Sequence, residues 1–128
     1  MPLYTVSSRQ HLSEVEKQKI VEGITEIHCD LTGAPSMFVQ VIFSFGVTLH
    51  KATDIHLLGS IRSGRTPEVK RNLETEFTSL LCRSLGKINL RADIVLIDVP
   101  ASWVLEGGEI LPEPGEEDVW LARYKATT

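Results

Sequence analysis

The sequence predicts an α+β fold, a four-stranded sheet with two helices on one face, built from two consecutive β-α-β units. Three observations lead there. Apolar segments of strand character alternate with segments of helical periodicity. The order strand, helix, strand occurs twice along the chain, which favours one sheet with both helices packed on it. Finally, Glu14-Val15 and Glu68-Val69 stand in matching places near the two expected helix starts. A chain of 128 residues suits one domain, spanning 1–128, and its 42% hydrophobic residues suffice for a core without disulfides or metal.

The first unit opens with Pro2-Leu3-Tyr4-Thr5-Val6, a short strand-forming run. Ser13 and Glu16 then form the pattern of a capping box, in which each side chain satisfies a backbone N–H freed at a helix start. Val15, Ile20, Ile24, Ile27 and Leu31 recur at helical spacing and mark a core-facing stripe, and Gly33 supplies the stop. Met37 to Phe45 is nearly all apolar and rich in Val, Ile and Phe, which reads as a strand covered on both faces.

In the second unit Ile55 to Ile61 is the strand, and Thr66-Pro67 starts the helix with a cap and a first-turn proline. Leu73, Phe77, Leu80 or Leu81, and Leu85 give its buried stripe, and Gly86 ends it. Ile94 to Val99 is the last strand. Pro100 closes it, and a Gly- and Pro-rich tail follows with an acidic patch from Glu113 to Asp118. Two helices on one face leave the other face of the sheet bare, so self-association is expected.

Composition narrows the partners. A net charge of -4 speaks against nucleic acid, whose partners usually carry a basic surface. No apolar run is long enough to cross a bilayer, and no basic-then-apolar leader opens the chain. Cys29 and Cys82 are isolated, so a cytoplasmic setting is the expectation and both read as small core residues.

Four features bear on chemistry. Arg62-Ser-Gly-Arg65 puts two guanidinium groups just before a capped helix start, where a carboxylate or phosphate is favoured. Two solvated loop arginines paired with surface acids would produce the same spacing. His28 stands at the edge of the first helix's stripe, suited either to half-buried packing or to donating a hydrogen bond into a cleft. His11, His50 and His56 share no metal-ligand spacing with it, so no metal is expected. Glu106, in Trp103-Val104-Leu105-Glu106-Gly107-Gly108, is a lone carboxylate among apolar neighbours, a setting that raises a carboxyl pKa; a surface-loop glutamate is the alternative. Removal of Met1 would give Pro2 a free secondary amine able to act as base, acid or nucleophile. A retained Met1 would turn that nitrogen into an amide without a basic lone pair.

Read together, these motifs resemble the tautomerase superfamily, and most closely its cis-3-chloroacrylic acid dehalogenase group. Chains of that group begin Pro-x-Tyr, carry Ala-His or similar before Leu-Thr-Gly, and have Arg-x-Gly-Arg before the second helix. They end in Pro-Ala…Glu-x-Gly…Leu-Pro-x-Pro-Gly. Here stand Pro2-Leu3-Tyr4, His28-Cys29-Asp30-Leu31-Thr32-Gly33, Arg62-Ser63-Gly64-Arg65 and Pro100-Ala101…Glu106-Gly107-Gly108…Leu111-Pro112-Glu113-Pro114-Gly115. The match runs from Pro2 to about Trp120.

The resemblance implies a homotrimer without cofactor that acts on a small unsaturated or 2-keto carboxylate. It makes Pro2 the catalytic amine, Arg62 and Arg65 the carboxylate pair, His28 the residue that orients and polarises the substrate, and Glu106 the activator of water. The family's remaining functional residue, a tyrosine that partners this glutamate, falls at Val95, with Trp103 and Tyr124 as the candidates to replace it. Val95 opposite Glu106 would disfavour hydration or dehalogenation and leave keto–enol tautomerisation. It also leaves room for a small-acid-binding or assembly protein that has lost catalysis.

Overall fold

The computed structural model describes residues 1–127, with side chains described as far as residue 123. Strand β1 (Leu3–Ser8) leads into helix α1 (Glu14–Thr32), a short 3-10 turn (Ser36–Phe38) and β2 (Gln40–Phe45). Strand β3 (Ile55–Arg62), helix α2 (Pro67–Leu85) and β4 (Ala92–Val99) repeat the pattern. The sheet order is β2-β1-β3-β4. Each unit pairs its own strands in parallel, and the units join through β1 and β3, which run antiparallel. Leu3 lies opposite Ser60 and Ser8 opposite Ile55, so the start of β1 and the end of β3 share one end of the sheet.

Local chemistry sets the helix ends. The Ser13 hydroxyl accepts from the Glu16 N–H while the Glu16 carboxylate accepts from the Ser13 N–H, which closes the capping box. Thr66 accepts from Val69 N–H ahead of Pro67. Gly33 and Gly86 end the two helices in the left-handed conformation.

The core lies between the helices and one sheet face. Ile20 and Ile24 of α1 and Leu73, Phe77, Leu80 and Leu81 of α2 meet Tyr4, Val6, Ile55, Leu57 and Ile61. Alternation along β1 and β3 sends every second side chain into this layer. Truncating the fully buried Phe77 to Ala would cost about 3–5 kcal/mol.

Several expectations are corrected. Val15 is exposed rather than core-facing, because it sits in the first turn of α1, beyond the sheet's cover. Met37 and Phe38 belong to the 3-10 turn, and the strand begins only at Gln40. That strand is an edge strand with Ile42 about half exposed, not covered on both faces in the chain. Cys29 and Cys82 are free and only partly buried. The tail is more ordered than its composition suggests: β5 (Leu105–Glu106) and β6 (Glu109–Ile110) form a hairpin about Gly107-Gly108, and α3 (Glu117–Thr127) follows. Among the described residues no helix is long and apolar enough to cross a membrane.

Candidate active site

A cavity of about 630 Å3 opens where β1 begins and β3 ends. The topology assembles it from both units and the C-terminal segment. Pro2 arrives at the head of β1, His28 from the last turns of α1, Arg62 from the end of β3, and Arg65 from just before α2. Glu106 comes from the 105–110 hairpin. All five residues singled out in the sequence line this one space. Ala34, Pro35, Phe38, Leu111 and Leu121 add an apolar wall.

Pro2 is buried, and its carbonyl accepts from the Gln40 N–H at 3.0 Å, which ties the chain start to β2. Met1 also lines the cavity, and its ammonium is ion-paired with Glu106. Glu106 therefore has a polar setting, with Glu109 opposite it in the hairpin. The apolar neighbours in its sequence point elsewhere, Leu105 and Trp103 being well exposed. This corrects the expectation of an apolar pocket around the carboxylate.

His28 is 1% exposed, and its Nδ1 lies 2.6 Å from the Tyr4 hydroxyl. Burial, then the Arg65 guanidinium and the chain's terminal ammonium, pull its pKa down to about 4, so it is neutral at neutral pH. Burial pushes the Tyr4 phenol far above its ordinary value. Arg65 donates to the Thr32 carbonyl at 3.4 Å, and burial and the neighbouring Arg62 cation lower its own pKa. Arg62 is held from the C-terminal side: its Nη2 donates to the Pro112 carbonyl at 2.7 Å and to Glu117 at 3.1 Å.

Among the described residues, three buried side-chain nitrogens have no hydrogen-bond partner: His28 Nε2, Arg62 Nε and Arg65 Nε. All three belong to this cavity. Buried polar atoms are normally satisfied, so three unmet nitrogens around one cavity leave hydrogen-bonding capacity there that the chain's own described groups do not fill. Two guanidinium groups and an imidazole suit a carboxylate with a neighbouring oxygen. Among the described residues no group of three His, Cys, Asp or Glu side chains is placed to hold a metal.

No family model matches the chain, and no curated protein does. Solved structures do. A member of the cis-3-chloroacrylic acid dehalogenase family is 29% identical, with 94% of this chain and 90% of that one covered and a TM-score of 0.80. The chain resembles the tautomerase superfamily, to which these neighbours belong. A fused 4-OT solved as an asymmetric trimer (21% identity, 84% of this chain and 94% of that one, TM-score 0.74) shares the fold. So does malonate semialdehyde decarboxylase (15% identity, 84% and 93%, TM-score 0.70). The superfamily neighbours are enzymes.

The position that the resemblance pairs with Glu106 lies outside the cavity within the chain. Val95 sits midway along β4, on the sheet face away from the helices, and does not line the cavity. Within the chain it therefore does not face Glu106. Trp103 is largely exposed, and the Tyr124 side chain lies outside the described residues. Sequence reasoning assigned no role to Tyr4 or Glu117. Tyr4 was within reach through the Pro-x-Tyr motif and its place on the buried side of β1. Nothing local announces that Glu117 meets Arg62, 55 residues away.

Proposed function

We propose that the chain is an amino-terminal-proline enzyme acting on a small unsaturated or 2-keto carboxylate. The observation that carries this reading is the convergence of Pro2, Arg62, Arg65, His28 and Glu106 on one cavity whose buried nitrogens lack partners. Removal of Met1 exposes the secondary amine of Pro2 in that cavity and frees Glu106 from the Met1 ammonium.

Arg65, Arg62 and neutral His28 then hold the carboxylate and draw electron density toward it. In the hydration mode Glu106 takes a proton from water as the hydroxyl bonds to the β-carbon, and protonated Pro2 gives a proton to the α-carbon. A β-halide makes the product a halohydrin, which loses hydrogen halide to become an aldehyde. In the tautomerase mode neutral Pro2 takes a proton from one position of an enol or keto acid and returns it at another. We also propose a homotrimer. It would cover the open sheet face that carries Ile42, Val95 and Ile97, and a residue at position 95 would reach a Glu106 only on a neighbouring copy.

The test is turnover across a panel of 2-keto, acetylenic and haloacrylic acids by protein whose intact mass lacks Met1, with Pro2→Ala as control. Pro2-dependent turnover supports the proposal. A chain that binds these acids yet turns over none is a binding protein, and the enzyme reading fails.

A further inference from the structure

We infer that Tyr4 is a positioning residue for this site: its buried phenol donates to His28 Nδ1 and holds the imidazole as the Nε2–H tautomer, so that this N–H is kept as a donor to the substrate. The inference rests on the cavity's being the site of a small-acid enzyme, and it adds a residue that the motifs left without a role.

The geometry allows two arrangements of the 2.6 Å contact between Tyr4 and His28. In one, the phenol O–H donates to Nδ1, and the ring's remaining proton is on Nε2. In the other, Nδ1–H donates to the phenol oxygen, and Nε2 presents a lone pair. The second strands the phenol's own hydrogen, because among the described residues the fully buried Tyr4 hydroxyl has no other partner. It would also turn a lone pair, rather than a donor, toward an incoming carboxylate or 2-oxo oxygen. The first satisfies the phenol fully and leaves only Nε2–H unmet, which is the buried nitrogen observed without a partner. His28 lines the cavity, and with Nδ1 taken, Nε2 is the atom it can offer a ligand.

The surroundings keep this arrangement in force. Phe77 meets the Tyr4 ring edge-on at a centroid distance of 5.1 Å, and the imidazole meets it at 5.6 Å. Gly59, across from Tyr4 in the β1–β3 pairing, leaves the ring its place. A Cβ there would lie 2.6 Å from Tyr4 Cε1 and 2.7 Å from Leu96 Cδ2. Burial keeps the phenol protonated and the imidazole neutral, so the direction of donation does not change near neutral pH.

The deciding measurement is nitrogen-resolved NMR of His28 in the full-length chain, with kinetics on the same protein and on Tyr4→Phe. We expect wild-type His28 to carry its proton on Nε2 alone. Tyr4→Phe keeps the ring packing and should give a mixture of tautomers. It should lower kcat/KM by about ten- to hundredfold, by analogy with the partners that orient metal-ligating histidines. Gly59→Ala, which presses a methyl group on the Tyr4 ring, should reproduce part of both changes. A wild-type imidazole protonated on Nδ1 overturns the inference, and needs no variant to fold. An unaltered tautomer and unaltered kinetics in Tyr4→Phe overturn it as well. Turnover that survives Pro2→Ala would instead sink the proline reading and leave the tautomer result standing.

Discussion

The sheet has two ends, and each β-α-β unit contributes to both. At one end the start of β1 meets the end of β3, between the last turn of α1 and the first of α2. At the other, the end of β1 meets the start of β3 between the opposite helix ends, around a smaller cavity of about 320 Å3 lined by Arg9, His11, Asp54 and Lys87 among others. Both ends hold cations, a histidine and carboxylates. They differ in whether buried nitrogens are left without a partner among the described residues. Arg9 donates to the Leu49 and His50 carbonyls, and Arg91 is paired with Asp54 through two side-chain contacts. The three buried unpartnered nitrogens all lie at the other end. Charge alone thus does not separate a site from a surface, but unmet hydrogen-bonding capacity does. The second difference belongs to the proposal: with Met1 removed, the end where β1 starts would present the Pro2 amine.

The sharpest way to break this contrast is to deny the first end its amine. Protein that keeps Met1 should lose turnover by about 10²–10⁴-fold, since an amide nitrogen cannot exchange a proton. Intact mass read beside kcat decides it, and full activity with Met1 in place would end the amine mechanism. Next in size is a pair of matched arginine variants. Arg65→Ala should weaken kcat/KM by about 2–4 kcal/mol as a buried carboxylate loses its bidentate partner, with little rescue by lysine. Arg9→Ala at the opposite end should leave kinetics unchanged. Equal effects from the two would erase the distinction.

A third prediction concerns stability and rests on the same burial. His28 has its pKa drawn from an ordinary 6.5 to about 4 in the folded chain. Between those values the unfolded state binds a proton that the folded state does not, so stability falls as pH drops. The contribution is fully present above pH 6.5, is lost progressively down to about pH 4, and levels off below it. Urea unfolding at several pH values should show this slope, and His28→Gln should flatten it. A slope that persists in His28→Gln would assign it to other groups.

What the sequence made legible follows the range of the interactions. The capping box at Ser13 and Glu16 and the Thr66-Pro67 start depend on neighbours three residues apart, and both are formed as read. The apolar run from Met37 to Phe45 has a composition that strand and 3-10 turn share, and that composition does not say which face of the strand the chain itself covers. The sites of Pro2, His28, Arg62 and Arg65 could be named from short motifs, but their surroundings could not. Glu106 was read from its sequence neighbours, whereas its environment is set by Met1, 105 residues away. The bond between Tyr4 and His28 spans 24 residues, and the Tyr4 ring takes its place beside a glycine on β3. No periodicity encodes such contacts.

The smallest expected effect tests whether the C-terminal segment belongs to the site or merely borders it. Arg62 differs from Arg65 in already having a carboxylate partner, Glu117, on α3. Backbone N–H donors, its own and that of Gly115, together with Arg62 hold the Glu117 carboxyl below the ordinary range, so it is ionised at neutral pH. A substrate carboxylate that uses Arg62 must then compete with it. Both partners are partly exposed, so the competition is weak and screened by salt. Glu117→Gln should therefore lower KM by about two- to fivefold and leave kcat unchanged, the pattern of altered uniform binding. Added salt should narrow the gap between variant and wild type. If Glu117 instead holds Arg62 in its working position, KM will rise in the variant, and the Pro112 carbonyl alone will have proved too little to keep the guanidinium in place.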